Sequence, residues 1–331
     1  MSSKSILVTG GAGYIGSHVV LALLEAGWNP VVVDDFSTGT RHVIPESVPV
    51  IEGRAGDFGL ISKIIKGYDC TGVMHFAGYI IVPESVQQPL RYYRNNLIES
   101  HYLIDACIGS GIEAFVFSST AAVYGHPEVL PVSEYAPLRP INPYGWTKMM
   151  TEQILIDTSN VSDMRHACLR YFNVAGADSA GRSGQISRNS THLIKIGCEA
   201  ALGLREKVIV FGDDYSTLDG TCLRDFIHVS DLANVHVLTL ERLLNSKQDL
   251  ILNCGYGHGF SVREVLETIS KIASVDLLIE CGARRAGDPP ELISDSKKIR
   301  STLNWAPKYD NLEIIARTAL NWEKRLADDH T

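Results

Sequence analysis

The stretch Ser5-Ile6-Leu7-Val8-Thr9-Gly10-Gly11-Ala12-Gly13-Tyr14-Ile15-Gly16 decides the fold. Its apolar opening predicts a strand over Ser5–Thr9, and the amphipathic spacing that follows predicts a helix over Tyr14–Glu25. Between them Gly10, Gly13 and Gly16 permit a tight turn and close approach of a pyrophosphate, which would rest on the helix N-terminus. A glycine pattern alone is weak evidence, since many are ordinary turns, but strand before and helix after are the context this mechanism needs. Asp34 ends the next predicted strand, about 20 residues on, where an acid bonds the adenosine ribose hydroxyls. Its charge would repel a 2′-phosphate, so NAD is expected over NADP; the plainer alternative is a turn acid ahead of Asp35.

Outward from this stretch, apolar runs alternate with amphipathic segments. Further strands are expected at Val31–Asp34, Val48–Glu52, Gly72–Phe76, Ala114–Ser118 and Ala167–Tyr171, with helices at Leu60–Ile65, Leu90–Ile108 and Pro143–Asp157. This order predicts an α/β fold, a Rossmann-type doubly wound parallel sheet over residues 1–175. From Gly176 to Ser190 the chain turns loop-like. Helices near His192–Leu202, Ser230–Leu244, Ser261–Ala273 and Leu312–Arg325, with strands near Val208–Phe211 and Leu250–Cys254, then predict a smaller C-terminal substrate-binding lobe over residues 176–331. Its interleaved pattern suggests that it returns strands to the main sheet.

Composition excludes several classes. With 45% hydrophobic and 21% charged residues the chain is expected to be globular rather than disordered. A net charge of −8 without a basic run gives nucleic acid and anionic membranes nothing to bind. No stretch approaches the ~18 apolar residues of a membrane span, and Met1–Ser5 carries no charged-then-apolar signal. The seven cysteines are scattered without a CxxC pair, which fits a reducing cytoplasm and argues against a metal site.

The chemistry-bearing residues come next. Tyr144 and Lys148 stand at i and i+4, on one helical face, with Pro143 setting the helix start. A free phenol has a pKa of ~10, and a neighbouring cation is expected to stabilise its phenolate. Thr120, at the end of a predicted strand, offers a hydroxyl at the carboxyl edge of the sheet, where such folds bind ligands.

Hydroxyl, phenol and ammonium together resemble the catalytic set of the short-chain dehydrogenase/reductase superfamily. The chain is most similar to its extended branch and, within that, to the UDP-glucose 4-epimerases. The markers run along nearly the whole chain: Val8–His18, His75-Phe76-Ala77-Gly78, Glu84-Ser85-Val86, Tyr92–Asn96, Leu169–Asn173, Phe211–Tyr215, Asp219-Gly220-Thr221, Arg224–Val229 and Arg284–Asp288. The resemblance implies that Tyr14, Ile15, Asp34, Asp57, Phe76, Ala77, Gly78, Asn96, Lys148 and Phe172 contact NAD. It makes Tyr144 the acid/base on the sugar O4, with Thr120 sharing that hydrogen bond. Asn173, Arg224, Arg285 and Asp288 would hold the UDP part, the arginines because a guanidinium pairs bidentately with phosphate. His192 and Leu193 would lie at the substrate, Leu292 would gate the sugar pocket, and His75 and His228 are read as structural.

The implied reaction is transient oxidation to a 4-keto sugar, rotation about its link to UDP, and reduction from the opposite face. UDP-glucose and UDP-galactose are the expected substrates, with UDP-N-acetylglucosamine or a UDP-pentose as alternatives. A 4,6-dehydratase is rejected, because Ala121 and Ala122 replace the Asp-Glu pair that moves its protons; a decarboxylase is disfavoured for a similar reason. A non-catalytic NAD-binding regulator would tend to lose Tyr144 or Lys148. Four positions depart from the family pattern: Ile80 for a lysine, Val174 for a proline, His192 for an asparagine and Lys195 for a proline. The resemblance also implies a homodimer built on the Leu90–Ile108 and Pro143–Asp157 helices.

Overall fold

Along Ser5–Thr9 (β1) the side chains alternate: Ile6 and Val8 enter one apolar cluster and Leu7 the other. This is the signature of a strand covered on both faces. The computed structural model describes residues 4–187, 190–285 and 287–328. Its main sheet contains β1, Asn29–Asp34 (β2), Val50–Glu52 (β3), Cys70–His75 (β4), Ala114–Thr120 (β5), Arg165–Tyr171 (β6) and a seventh strand, Leu250–Cys254. All pairings are parallel, in the order Leu250–Cys254, β6, β5, β4, β1, β2, β3. The order reverses at β1 and β4, so the strand ends there open a crevice.

On one face Val19, Val20 and Leu23 of the Tyr14–Glu25 helix pack with Leu232, Val235 and Leu240 of the Val229–Ser246 helix. On the other, Ile61, Ile64 and Ile65 of Phe58–Gly67 meet Leu103, Ile104 and Cys107 of Glu99–Gly109 and Leu155 of Pro143–Ser159. Each such side chain, fully buried, contributes roughly 1.5–3 kcal/mol against exposure.

The predicted Leu90–Ile108 helix is three joined pieces: Pro89–Tyr92, a π-helical turn Tyr93–Ile98, and Glu99–Gly109. The Val48–Glu52 strand begins only at Val50, and the Ala114–Ser118 strand continues to Thr120. Beyond β6 the chain forms small satellites around the sheet's carboxyl edge. Asn173–Ala175 pairs with Phe226–His228, and Val208–Phe211 pairs with Ile279–Gly282. Leu223–Arg224 lies between Phe260–Ser261 and Glu291–Leu292. Of the lobe's strands, Leu250–Cys254 is the one that returns to the main sheet, beside β6.

Candidate active site

A cleft of about 1770 Å³ runs along the carboxyl edge of the sheet and out under the satellites. At its cofactor end, β1 runs into Gly10, whose φ of +70° suits glycine; a Cβ there would come within 2.5 Å of the Ala77 nitrogen. A Cβ on Gly16 would meet the Gly10 carbonyl at 2.3 Å, so both glycines hold the helix start against the strand ends. The helix opens at Tyr14 with no side-chain cap on Gly13. Its positive end is therefore left facing the cleft that Gly13, Tyr14, Ile15 and Gly16 line. At the end of β2, Asp34 accepts hydrogen bonds from the Ala12 and Phe36 nitrogens, both at 2.9 Å. Burial pushes its carboxyl above the usual range, and these two donors draw it back.

Phe76, Ala77 and Gly78, following β4, line the same end. Two expected cofactor residues do not. Asp57 caps the Phe58–Gly67 helix, accepting from the Leu60 nitrogen at 3.0 Å. Asn96 sits in the π-helical turn behind the cleft wall, accepting from the Tyr79 nitrogen at 2.8 Å and donating to the Tyr79 carbonyl at 2.9 Å. It fixes the backbone just past Gly78 from the rear. Extra helical turns of this kind recur where a side chain must be re-aimed at a site.

The candidate catalytic side chains meet where β5 ends. Thr120 begins a tight turn and accepts from the Ala122 nitrogen at 3.1 Å. The Pro143–Ser159 helix starts against that turn: Asn142 caps it, accepting from the Gly145 nitrogen at 2.8 Å, and a Cβ on Gly145 would lie 2.7 Å from the Ala122 carbonyl. Only glycine allows this approach, which sets Tyr144 beside Thr120. Burial raises the Tyr144 phenol above its ordinary pKa, and its hydrogen bond with Thr120 opposes the rise.

Lys148 departs from the expectation. Its ammonium donates to the Ser118 carbonyl at 2.7 Å and lies 4.8 Å from the Phe117 ring centroid. The group that moderates the phenol is Thr120, while Lys148 is turned toward the strand end and the wall near Gly78. Burial pulls Lys148 down to about 8, against the supporting charge of Glu152. Glu152 is itself buried, takes a hydrogen bond from Ser119, and pairs with Arg170 at 2.6 Å. The strand end holding both Thr120 and the Lys148 acceptor is thus anchored from behind by an ion pair. His75 is buried between Thr9 and Ser100, at 2.7 and 2.8 Å, and is held neutral, its pKa lowered by burial to about 3. His228 is likewise satisfied, by Ser230 and Thr318.

Asn173, His192, Leu193, Arg224, Arg285, Asp288 and Leu292, the expected substrate residues, all line the cleft, and so does Phe172. Arg224 faces Asp288 at 3.6 Å rather than its neighbour Asp225. Asp225 is fully buried, accepting from the nitrogens of Tyr256, Gly257 and Ser294 and from the Ser294 hydroxyl, at 2.6 to 3.1 Å. Arg285 lies 4.0 Å over the centroid of the Phe211 ring. Phe211 is a lining residue that strand patterning gave no reason to single out. Its signals are its place at the head of the Phe211–Tyr215 marker and an exposed aromatic at the end of a satellite strand, next to Gly212. Leu292 packs with Ala121, Val123, Tyr124 and Phe172, at the boundary between the reacting groups and the lobe. Ile80 also lines the cleft and is half exposed. Among the described residues no group of His, Cys, Asp and Glu is arranged to hold a metal ion.

Known proteins resemble the chain along nearly its whole length. Residues 6–255 match the family "NAD dependent epimerase/dehydratase". The chain is 52% identical over 325 residues to the UDP-glucose 4-epimerase of Azospirillum brasilense, covering 98% of this chain and 93% of that one. The crystal structure of UDP-glucose 4-epimerase from Brucella ovis in complex with NAD superposes with a TM-score of 0.94 at 40% identity, covering 96% and 98% of the two chains. The UDP-Glc/GlcNAc 4-epimerase from Campylobacter jejuni superposes with a TM-score of 0.85 at 44% identity, covering 98% and 100%. With a glycine turn, an uncapped helix start and a Thr–Tyr–Lys set along one parallel sheet edge, the chain belongs to the NAD dependent epimerase/dehydratase family.

Proposed function

We infer that the chain interconverts UDP-glucose and UDP-galactose by NAD-dependent inversion at C4 of the sugar. The observation that carries this is that Thr120 and Tyr144 line one cleft together with the dinucleotide cradle and with Arg224 and Arg285. The cradle fits the cofactor. A Cβ on Gly13 would stand in the open turn, 3.3 Å from the Gly10 carbonyl, where a pyrophosphate needs room. Asp34 is held by two backbone donors at the distance along the chain where ribose hydroxyls are bonded.

NAD, when bound, supplies reversible oxidation and reduction at C4. The chain's own residues do the rest. Tyr144 takes the proton from O4 as the 4-keto sugar forms and returns it when the alcohol is restored, with Thr120 hydrogen-bonded to the same site. Lys148, held on Ser118, puts a positive charge at the nicotinamide end. Asn173, Arg224, Arg285 and Asp288 grip the nucleotide, so that binding energy retains the keto intermediate while the sugar turns. His192 and Leu193 flank that sugar.

Incubating the purified protein with a panel of UDP-sugars and no added reductant tests this. UDP-galactose should form from UDP-glucose without net consumption of NADH; a stoichiometric demand for NADH or NADPH would make it a reductase instead. A second reading, 4-epimerisation of UDP-N-acetylglucosamine beside UDP-glucose, is favoured by Leu292, which leaves the sugar wall short and apolar.

The protein is further proposed to be a homodimer. Ile98 and Tyr102 on one long helix and Trp146 on the other are large apolar side chains exposed at 46%, 47% and 37%. Tyr92, Leu103 and Ile104, apolar at helical spacing along the first of these helices, are buried in the subunit's own core. Sedimentation at micromolar concentration should give twice the chain mass of 36.3 kDa; a strictly monomeric mass rejects the dimer. No described helix is long and apolar enough to cross a membrane. Six of the seven cysteines are buried and all are free, which supports a reducing, cytoplasmic setting.

A further inference from the structure

The helix Leu193–Ala201, which begins directly after His192, carries a cation where little water reaches: Lys195 is 6% exposed. Its ammonium donates to Glu323 at 2.7 Å, lies 3.3 Å from Glu199, and donates to the Gln185 carbonyl at 3.3 Å. Glu323, on the terminal helix Leu312–Asp328, is 5% exposed. Beside it, Trp322 donates its indole N–H to the same Gln185 carbonyl at 3.2 Å. Gly184 is seated so closely that a Cβ there would come within 2.4 Å of the Trp322 ring.

Gln185 is thereby fixed by its backbone, and its side chain does the organising. The amide nitrogen lies 3.1 Å from the hydroxyls of Ser187 and Ser190 and 3.2 Å from His192 Nδ1. Ser190 in turn accepts from the His192 nitrogen at 3.1 Å. These residues line the substrate part of the cleft, and so do Lys195 and Glu323. Arg205 pairs with Glu199 at 2.9 Å, so two cations balance two carboxylates. A hydrophobic pair in place of Lys195 and Glu323 would also join the two helices. It could not hold the Gln185 carbonyl.

We propose that Lys195 and Glu323 are positioning residues for the substrate: together they clamp Gln185, and through it set His192, at the sugar end of the cleft. This rests on the epimerase reading above. The terminal helix thus acts on the reaction, although it comes last in the chain.

Lys195→Met, Lys195→Arg and the double variant Lys195→Met/Glu323→Gln would be compared with the parent as purified NAD-loaded enzymes. Melting temperature, NAD content, KM and kcat for UDP-glucose are the readouts. Lys195→Met strands a buried carboxylate and should melt early, with KM raised ~10-fold, kcat changed less than ~3-fold and NAD content unchanged. The double variant should regain the melting temperature and keep the raised KM, because the clamp is still missing. Lys195→Arg, which retains the cation, should stay near the parental KM. A KM that recovers together with stability in the double variant, or one unchanged in every folded variant, overturns the proposal. A parent that does not turn over UDP-glucose overturns the epimerase reading instead, so the two failures are distinct.

Discussion

At the cofactor end of the cleft the lining includes Gly10, Gly13–Gly16, Asp34 and Phe76–Gly78, which follow or end three neighbouring parallel strands within the first 78 residues. At the substrate end Asn173, His192, Arg224, Arg285 and Leu292 arrive from five separate segments. The sheet itself makes the first set converge: parallel strands in register deliver their carboxyl ends to one edge. Nothing so general assembles the second set. It depends on individual ties, such as Asp225 holding the 256–257 and 294 backbones together and Lys195 joining the terminal helix to Gln185. One end is positioned by topology, the other by side-chain hydrogen bonds.

The seam between these ends is the place of largest expected effect. Tyr144→Phe should lower turnover by ~10²-fold or more and leave folding and NAD content largely intact, since the phenol carries the proton and the cradle lies elsewhere. Near-normal turnover would show that the acid/base lies outside the seam. A smaller effect is expected from pH. Lys148, brought down to about 8, is charged below that value and neutral above it. Turnover should therefore fall as pH rises through about 8, and Glu152→Gln, by removing the supporting charge, should move the fall to lower pH. A rate that climbs steadily to pH 10 would remove the Lys148 charge from the mechanism. The smallest effect belongs to the substrate end. Leu292→Tyr should cost UDP-N-acetylglucosamine ~10-fold or so in kcat/KM and spare UDP-glucose, in line with the ~1–3 kcal/mol that a small change in an apolar pocket wall confers. Equal losses on both sugars, or no N-acetyl turnover in the parent, would show that Leu292 is not the gate.

The same division governs what the sequence discloses. Strand, glycine turn, helix and Asp34 lie within 34 consecutive residues and obey local rules, and they are found where periodicity puts them. Tyr144 and Lys148 share a helix, so their spacing predicts their common side. It does not predict that Lys148 bonds the Ser118 carbonyl, because that depends on a strand 30 residues away. The π-helical turn is equally hidden: one extra residue in a long apolar pattern leaves the amphipathic reading unchanged while it moves Asn96 behind the wall. Motif matching alone brought Asn96 and Asp57 toward the cofactor. In the structure one supports the wall and the other caps a helix. Gln185, Glu323 and the partners of Lys195 were beyond reach for another reason. Gln185 sits in a polar loop and Glu323 on a charged terminal helix, where such residues are ordinary, and the hydrogen bond joining Lys195 to Glu323 spans 128 residues.

Asp225 carries a consequence for the order in which the molecule is made. Its carbonyl accepts from the Asn173 nitrogen at 2.9 Å, while its carboxylate waits for donors at residues 256, 257 and 294. A chain leaving the ribosome can finish six strands of the main sheet by Tyr171, but the Asp225 carboxylate gains its last donors, the Ser294 nitrogen and hydroxyl, only when Ser294 has emerged. Nascent chains halted shortly before Ser294 emerges would own the glycine turn and Asp34 while the Asp225 carboxylate was only partly satisfied. The first strands are therefore in place well before the wall that Asp225 ties together is complete.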